Sequence, residues 1–478
     1  MEIIVFIYLI FFALLAYWKI DWSVLLILLL LPSYLIRFEV MGLPLNLLGA
    51  MVLVSFFVWF VFHTKFLRFL KGGYKIGDFK KNREKRLKYP FGLELILLLI
   101  VALIAVAVAG FKPEALGSWR AYFFEPALFF ILVLNLFQSA EQRKKIIWAL
   151  ACLCLVLSIY AIIQKFTGVG ISNEFWRDEA TRRVTSVFPY PNALALLLAP
   201  LMMIFSGYLI SLMRRIKDFG RRGVFLPEVF FLVLTISLSF LAVYFTGSKG
   251  ALIALALSSL FFLWLTEGWW RWLAYTSLLI FISFLIFSPG PREVVVEAFA
   301  LKDFSGEVRK KQWRETWEML TDNNLVLGSG LHNYQEAIAP YHVPGMFFNR
   351  DRDPDFRRKL LLFDEEYKKQ YWQPVEIYLY PHNIFLNFWT ELGLAGLLLF
   401  IWIKAKFFLQ GLRVLRKESG QEKYLVIGLI TAMTVIIING LVDVPYFKND
   451  LAIKFWLLVA FLSLVNLERN VKQKEKNN

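Results

Sequence analysis

Apolar runs long enough to cross a bilayer recur along this chain, and that recurrence restricts the fold more than any other feature. A run of roughly 18 or more apolar residues spans the hydrocarbon core as a helix. Runs of about this kind occupy 22–36, 43–62, 91–110, 121–138, 146–165, 192–213, 226–245, 250–266, 270–288, 383–403, 424–442 and 450–467, with a shorter one at 3–18. Lys19 and Asp21 decide whether the first two segments form a tight hairpin. The expectation is an all-α, polytopic transmembrane bundle of twelve or thirteen spans, because backbone polar groups in lipid must pair within their own segment. With 58% of its residues hydrophobic, the chain carries more apolar surface than a soluble core needs.

The N-terminal run has Glu2 in place of a basic leader and no small-residue cleavage pattern, so it reads as a retained span. Cys152 and Cys154 sit inside an apolar run and imply neither a disulfide framework nor a metal motif.

The net charge of +16 would suit a nucleic-acid binder, but its distribution argues otherwise. Basic residues crowd into alternate loops: 65–88, 143–145, 214–222, 404–417 and the tail Lys472–Lys476. The positive-inside rule makes these cytoplasmic, with anionic inner-leaflet lipid as a partner of the 65–88 cluster. The intervening segments 111–119, 166–191, 246–249, 289–381 and 443–449 then face outward. The chain divides into a bundle over 1–288, an outer loop domain over 289–381 entered through Ser288-Pro289-Gly290-Pro291, and a second bundle part with a cytoplasmic tail over 382–478. Within the loop, Arg309, Trp313, Trp317 and Leu320 recur at helical spacing and predict an amphipathic helix on the bundle or membrane surface, ended by Gly328-Ser329-Gly330. The stretch 347–371 reads as a flap.

Ionisable groups at a membrane edge are costly and mark function. Three stretches stand out: Arg182 to Asn192, Thr246-Gly247-Ser248-Lys249-Gly250, and Tyr380-Pro381-His382-Asn383. Each opens a helix that starts at the outer face, where free N–H groups and the positive dipole end gather. Cations placed there are repelled unless an anion lies among them, and helix starts with Arg and Lys are a phosphate-binding arrangement. Headgroup snorkelling is the competing explanation for Arg182 and Arg183. At the outer leaflet the fitting polyanion is the diphosphate of a polyprenyl-linked sugar. His382, read as lying in the first helical turn after Pro381, is the candidate base, its neutral form favoured by dipole and cations. Asn383, Arg309, Glu125, Asp443 and His332 rank behind it, the two carboxylates as partners for His382 or an arginine. His332, His342 and His382 lack the tight spacing of a zinc site, so no metal is expected. Trp119, Trp313, Trp317 and Trp372 are candidates for sugar stacking or interfacial anchoring.

His382-Asn383, nine further residues and Gly393-Leu394-Ala395-Gly396 resemble the His-[Asn/Ser/Gln]-x9-Gly-x-x-Gly signature of the O-antigen ligase and Wzy-type polymerase superfamily. Arg309…Trp313 with Asp322 through Gly330 is similar to that superfamily's Arg-x3-Trp…Asp-x-Pro-x-x-Gly-x-Gly stretch, with Asn324 where Pro is usual. The Arg183-x-Thr-Ser-x-Phe…Pro191-Asn192 segment and the Ser248-Lys249-Gly250 turn also match, so the resemblance covers about 180–400. It implies a GT-C-like bundle in a bacterial inner membrane. It further implies a metal-independent, inverting transfer of a glycan from undecaprenyl diphosphate to an acceptor hydroxyl at the periplasmic face, with no cofactor. It assigns acceptor activation to His382 and diphosphate binding to Arg183. The second diphosphate arginine of the superfamily lies in a Ser-Arg-Gly turn, where Lys249 stands here; lysine keeps the charge but not the bidentate fork, and Arg182 is the alternative donor. The acceptor is the lipid A core of a glycolipid for a ligase, a carrier-linked glycan for a polymerase, or a protein for an O-oligosaccharyltransferase. A flippase is the reading from another class, disfavoured because the charged residues gather at one face beside a sizeable outer domain.

Overall fold

The computed structural model describes residues 2–40, 43–64, 89–219, 222–268, 300–362, 365–417 and 422–477, with a few positions between 271 and 279. The basic cluster at 65–88, most of the expected span 270–288 and the Ser288–Pro291 entry lie outside the described residues. The rest is a helical bundle with two short hairpins, the polytopic all-α architecture expected. Among the described residues, seven helices are long and apolar enough to cross a membrane: Pro113–Leu136, Ala140–Thr167, Pro191–Arg214, Leu226–Phe245, Ile384–Arg416, Glu422–Asn439 and Asn449–Arg469. Five shorter apolar helices accompany them, Ile3–Trp18, Ile20–Leu29, Leu47–His63, Gly92–Val108 and Lys249–Leu265.

Several boundaries differ from the hydropathy reading. The span expected at 22–36 is a ten-residue helix, a 3-10 turn over Leu31–Leu35 and the first strand of a β-hairpin, Arg37–Val40 paired with Leu43–Asn46. Pro32 and Pro44 remove backbone donors there, so the apolar run leaves the helical path. The basic stretch 404–417 is not a loop: it continues the Ile384–Lys417 helix. Lys404 in it is buried, its Nζ 3.8 Å from the Phe385 ring and 3.9 Å from the Phe400 ring. Residues 143–145 likewise begin the Ala140–Thr167 helix, opened by a capping box of Ser139 and Gln142.

Cations and carboxylates join the helices at the basic end. Arg143 pairs with Glu422 and Glu468, Lys144 with Glu228 and Lys423 with Glu267, while Arg214 lies over the Tyr424 ring. At mid-bundle, Pro191–Phe219 and Glu422–Asn439 cross with their backbones in contact. A Cβ at Gly207 would come within 2.3 Å of the Tyr424 carbonyl, and one at Gly428 within 2.7 Å of the Met203 carbonyl. Only glycine permits that approach, the usual device where apolar burial gives helices no reason to associate.

Pro200 lies inside the Pro191–Phe219 helix. A proline has no N–H for the carbonyl four residues earlier, so Leu196 is left without its helical donor. Lys454 reaches across from the Asn449–Asn477 helix and donates to that oxygen, with Asp450 one turn away as countercharge. Lys454→Met should therefore cost about 1–3 kcal/mol of stability, and the same change should cost less in a Pro200→Ala background. Thermal unfolding of the four detergent-solubilised proteins tests this; equal losses in both backgrounds would contradict the pairing.

Candidate functional site

Three helix starts meet at the end of the bundle away from these ion pairs. The Ile384 amide donates to the Gly440 carbonyl at 2.7 Å. Asn192, one residue into its helix, donates to Asp443 Oδ2 at 2.9 Å. A Cβ on Gly250 would lie 2.7 Å from Val442 Cγ2 and 3.1 Å from Asn439 Oδ1. Segment 439–443, where the Glu422–Asn439 helix runs out, is thus the common support for all three.

The Arg183 loop is fixed from below by one buried polar side chain, Gln164. Its Oε1 accepts from the Thr185 and Ser186 amides at 3.0 and 2.7 Å, and its Nε2 donates to the Ser186 carbonyl at 2.9 Å. Ser186 adopts a left-handed backbone (φ 52°) and donates to the Leu157 carbonyl at 2.9 Å. The matched Arg-x-Thr-Ser pattern is therefore a clamp. It presents Arg183, whose Nε donates to the Thr246 carbonyl at 2.7 Å and whose Nη2 donates to Asn192 Oδ1 at 3.2 Å. Asn192 stands between Arg183 and the buried Asp443, so cation and carboxylate share a partner without touching.

The polar segment after residue 300 supplies the other wall. Its Phe304–Asp322 helix is capped by Asp303, which accepts from the Gly306 amide at 3.0 Å. Asp303 also holds Lys249 Nζ at 2.8 Å. Burial raises the Asp303 pKa, but the Lys249 ammonium more than offsets this and leaves it low. Lys249 is thereby committed to an exposed ion pair. Two turns along, Arg309 donates through Nη1 to Ser305 at 2.9 Å, while its Nε is buried without a hydrogen-bond partner among the described residues. Arg309 and Arg183 are close enough for each charge to act on the other; burial first, then Arg309, lowers the Arg183 pKa, though a guanidinium remains charged.

His382 completes the group. The expectation of a helical His after an N1 proline is not met: the helix begins at Ile384, and Asn383 is its cap, accepting from the Phe385 and Leu386 amides at 2.9 and 3.1 Å. His382 precedes the cap in a left-handed conformation (φ 47°). Such a conformation costs of order 1–3 kcal/mol in a non-glycine residue and persists where surroundings over-determine it. Those surroundings come from the Phe304–Asp322 helix and the loop that leads into His382. Trp313 Nε1 donates to the Pro381 carbonyl at 2.8 Å, Gln312 Oε1 lies 3.1 Å from His382 Nδ1, and the Tyr378 and Tyr380 rings pack at 5.2 and 4.8 Å. With Nδ1–H donating to Gln312, the lone pair belongs to Nε2. Burial lowers the His382 pKa from its ordinary value and Arg309 pushes it further down, against the upward pull of Asp443 and a hydrogen bond to the Tyr380 backbone, so the neutral ring is favoured.

The glycines of the matched signature are packing positions. Gly393 (φ 72°) breaks the Ile384–Lys417 helix, and Val326–Gly330 docks into the break. Ser329 donates through N and Oγ to the Thr390 carbonyl at 2.7 and 2.9 Å, and the Leu394 amide donates to Val326 at 2.9 Å. A Cβ on Gly328 would stand 2.5 Å from the Thr390 carbonyl, and one on Gly393 would stand 2.4 Å from the Val326 carbonyl. Gly328-Ser329-Gly330 therefore does not end the amphipathic helix, which stops at Asp322; it locks the outer segment into the span that carries His382. The expected flap at 347–371 contains two short helices, Phe356–Leu361 and Glu365–Tyr371, framed by the Gly345–Phe347 and Trp372–Pro374 hairpin.

Other sequence candidates fall elsewhere. Arg182 donates to the Lys165, Phe166 and Arg177 carbonyls and so finishes the Ala140–Thr167 helix. Glu125 is buried against Arg120 at 3.0 Å. His332 lies 3.3 Å from Ser118 and His342 3.3 Å from Glu315, so the three histidines have separate partners. Of the four tryptophans, Trp119 bonds the Leu99 carbonyl, Trp317 packs on Trp389 and Trp372 lies in the hairpin against Gly345, leaving Trp313 at the His382 loop. Gln164, Gln312 and Tyr190 were not anticipated. A glutamine inside the apolar run 146–165 was the available signal for the first; nothing in the spacing marked the others. Lys448 was also missed: its Nζ sits 5.2, 5.0 and 5.1 Å from the Tyr34, Phe188 and Tyr190 rings, a three-sided aromatic cage beside Asp443.

Residues 231–401 match the family described as O-Antigen ligase, Wzy_C. That segment contains Lys249, Arg309, His382 and Gly393, whereas Arg183 and Asp443 flank it. No curated protein matches the chain.

Arg183 and Arg309 repel each other without a carboxylate bonded to either among the described residues. Arg309→Gln should accordingly leave the ligand-free melting temperature unchanged or about 1–3 °C higher. A drop of more than a few degrees would mean that Arg309 serves the fold instead.

Proposed function

Starting from an O-antigen ligase-type segment at 231–401, we propose that the protein is a membrane glycosyltransferase that moves a glycan from undecaprenyl diphosphate to an acceptor hydroxyl, acting as a ligase onto a glycolipid. The observation that carries this reading is that Arg183 and Arg309 lie near one another without a bonded carboxylate among the described residues, with Arg309 also acting on His382. That arrangement suits a dianion next to a proton acceptor, and it suits little else. The site end of the bundle is the periplasmic end of an inner-membrane protein, since the basic ion-pair end is cytoplasmic by the positive-inside rule.

In the reaction, Arg183 and Arg309 hold the diphosphate and stabilise charge growing on its bridging oxygen as the sugar–oxygen bond breaks. Arg309 supplies the fork that Lys249, engaged with Asp303, does not. Lys249 and Asn383 act at a remove, the first by holding Asp303 and the second by capping the helix that His382 precedes. His382 Nε2 accepts the proton of the acceptor hydroxyl while that oxygen attacks the anomeric carbon from the side opposite the diphosphate, which inverts the centre. Gln312 orients the ring and fixes its tautomer. The leaving group needs no protonation, so a single base and fixed cations suffice. A polymerase would use the same groups on a carrier-linked acceptor; product analysis with both acceptors separates the two activities.

His382→Asn keeps a residue that tolerates the left-handed backbone, so the variant should fold while transfer falls by about 10²–10⁴. Near-normal turnover by the folded variant would remove His382 from the reaction. The pH profile gives a second check. Because the base must be neutral, kcat/KM should be flat above a midpoint lying below pH 6.5 and fall as pH drops through it. Gln312→Glu places a carboxylate against the imidazolium and should move that acid limb to higher pH; an unmoved limb would dissociate His382 from the titration.

A further inference from the structure

Two cavities adjoin on the site end of the bundle, away from Arg183 and Arg309. The first, about 570 Å³, lies between the Arg37–Asn46 hairpin, the Pro113–Phe124 segment and the start of the Asn449–Asn477 helix. Its wall mixes cations, carboxylates and amides: Arg37, Glu39, Asn46, Glu114, Arg120 and Asn449. The second, about 550 Å³, is bounded by the Glu2–Trp18 helix and the Leu47–Val58 helix and is lined by Val5, Phe6, Leu9, Leu53 and Val54. Among the described residues, Glu39 is the one charged side chain that lines it. Phe38, Glu39 and Leu45 border both, so one hairpin is the partition between a polar chamber and an apolar one. The apolar chamber opens beside a helix whose Ile3, Ile4 and Phe6 are more than half exposed, a surface suited to lipid.

A polar chamber adjoining an apolar one across a single hairpin matches an amphiphile. The polar side selects which kind. A diphosphate would be repelled by Glu39 and Glu114, whereas a hydroxyl-rich head finds both donors and acceptors there, and Arg37 adds one cation. Arg37 has no hydrogen bond or ion pair among the described residues, and Arg120 is already held by Glu125 and the Pro44 carbonyl. The volume lies within the range of small-molecule sites and admits a few sugar units. A chain of side-chain contacts links the chamber to the reaction site. Tyr34 lines it and packs on Lys448, Lys448 packs on Tyr190, the Tyr190 and Tyr380 side chains interact, and the Tyr380 ring meets His382.

We infer that these paired cavities are the acceptor site: the sugar head of a glycolipid acceptor occupies the chamber at Arg37, and its acyl chain occupies the groove at Leu53. This rests on the transferase reading above and adds the place where the acceptor enters.

The test uses the full chain in proteoliposomes with an undecaprenyl-diphosphate-linked glycan as donor. Two acceptors are compared, a lipid A core glycolipid and the oligosaccharide left after its acyl chains are removed. Arg37→Gln should raise the KM of both acceptors roughly tenfold, and Leu53→Trp, which fills the groove, should raise only that of the acylated one. Donor KM and kcat should stay within about twofold for either variant. Unchanged acceptor KM in Arg37→Gln, or equal sensitivity of both acceptors to Leu53→Trp, overturns the acceptor site while wild-type transfer stands. A wild-type protein that releases no undecaprenyl diphosphate with either acceptor overturns the transferase reading as well.

Discussion

Repulsion between Arg183 and Arg309 is the constraint from which the site end of the molecule follows. Two partly buried guanidinium groups near helix starts are unfavourable on their own account, because the dipoles add positive potential where it is least welcome. The fold holds them there through groups that leave each cation uncancelled. Arg183 is positioned by two oxygens of amide groups, the Thr246 carbonyl and Asn192, and the Asp443 carboxylate is set behind Asn192. Lys249, by contrast, is neutralised by Asp303. The difference separates a cation kept for a ligand from one used to anchor a helix.

Stability for this arrangement comes from elsewhere in the bundle. The Gly207–Gly428 crossing brings the Pro191–Phe219 and Glu422–Asn439 helices into backbone contact, which aligns Asn192 with Asp443 at their ends. The break at Gly393 admits Val326–Gly330, and that docking carries the Phe304–Asp322 helix to His382. A left-handed histidine is affordable only inside such a framework. Strain at His382 and charge repulsion at the arginines are both local rules broken in one place, the pattern expected of a working site in an otherwise consistent fold.

Much of this was legible from residues alone. Apolar runs located most helices, and alternation of basic loops separated the two ends; the Arg143–Glu422 and Asn192–Asp443 pairings lie at the ends that the charge pattern assigned. In the structure the three helix starts share segment 439–443 as their support. What stayed hidden depends on packing between distant segments. Arg182 and Arg183 are identical in type and adjacent, yet one caps a helix and the other faces Arg309, a distinction set by Gly168 and Gln164 in three dimensions. Pro381 looked like a first-turn proline because periodicity does not see that Asn383 is the cap. Residues 31–46 carry the apolar content of a span, but Pro32 and Pro44 turn them into a 3-10 turn and a hairpin, and the paired cavities beside that hairpin have no signature in the sequence.

The most direct measurement is the affinity of the protein in nanodiscs for undecaprenyl diphosphate, compared among the wild type, Arg183→Gln, Arg309→Gln and Lys249→Gln. The account predicts a loss of roughly tenfold or more for each arginine variant, shrinking as salt rises, and a smaller loss for Lys249→Gln, whose charge is already paired. Equal affinity in all four proteins, or a loss confined to Lys249→Gln, would contradict it.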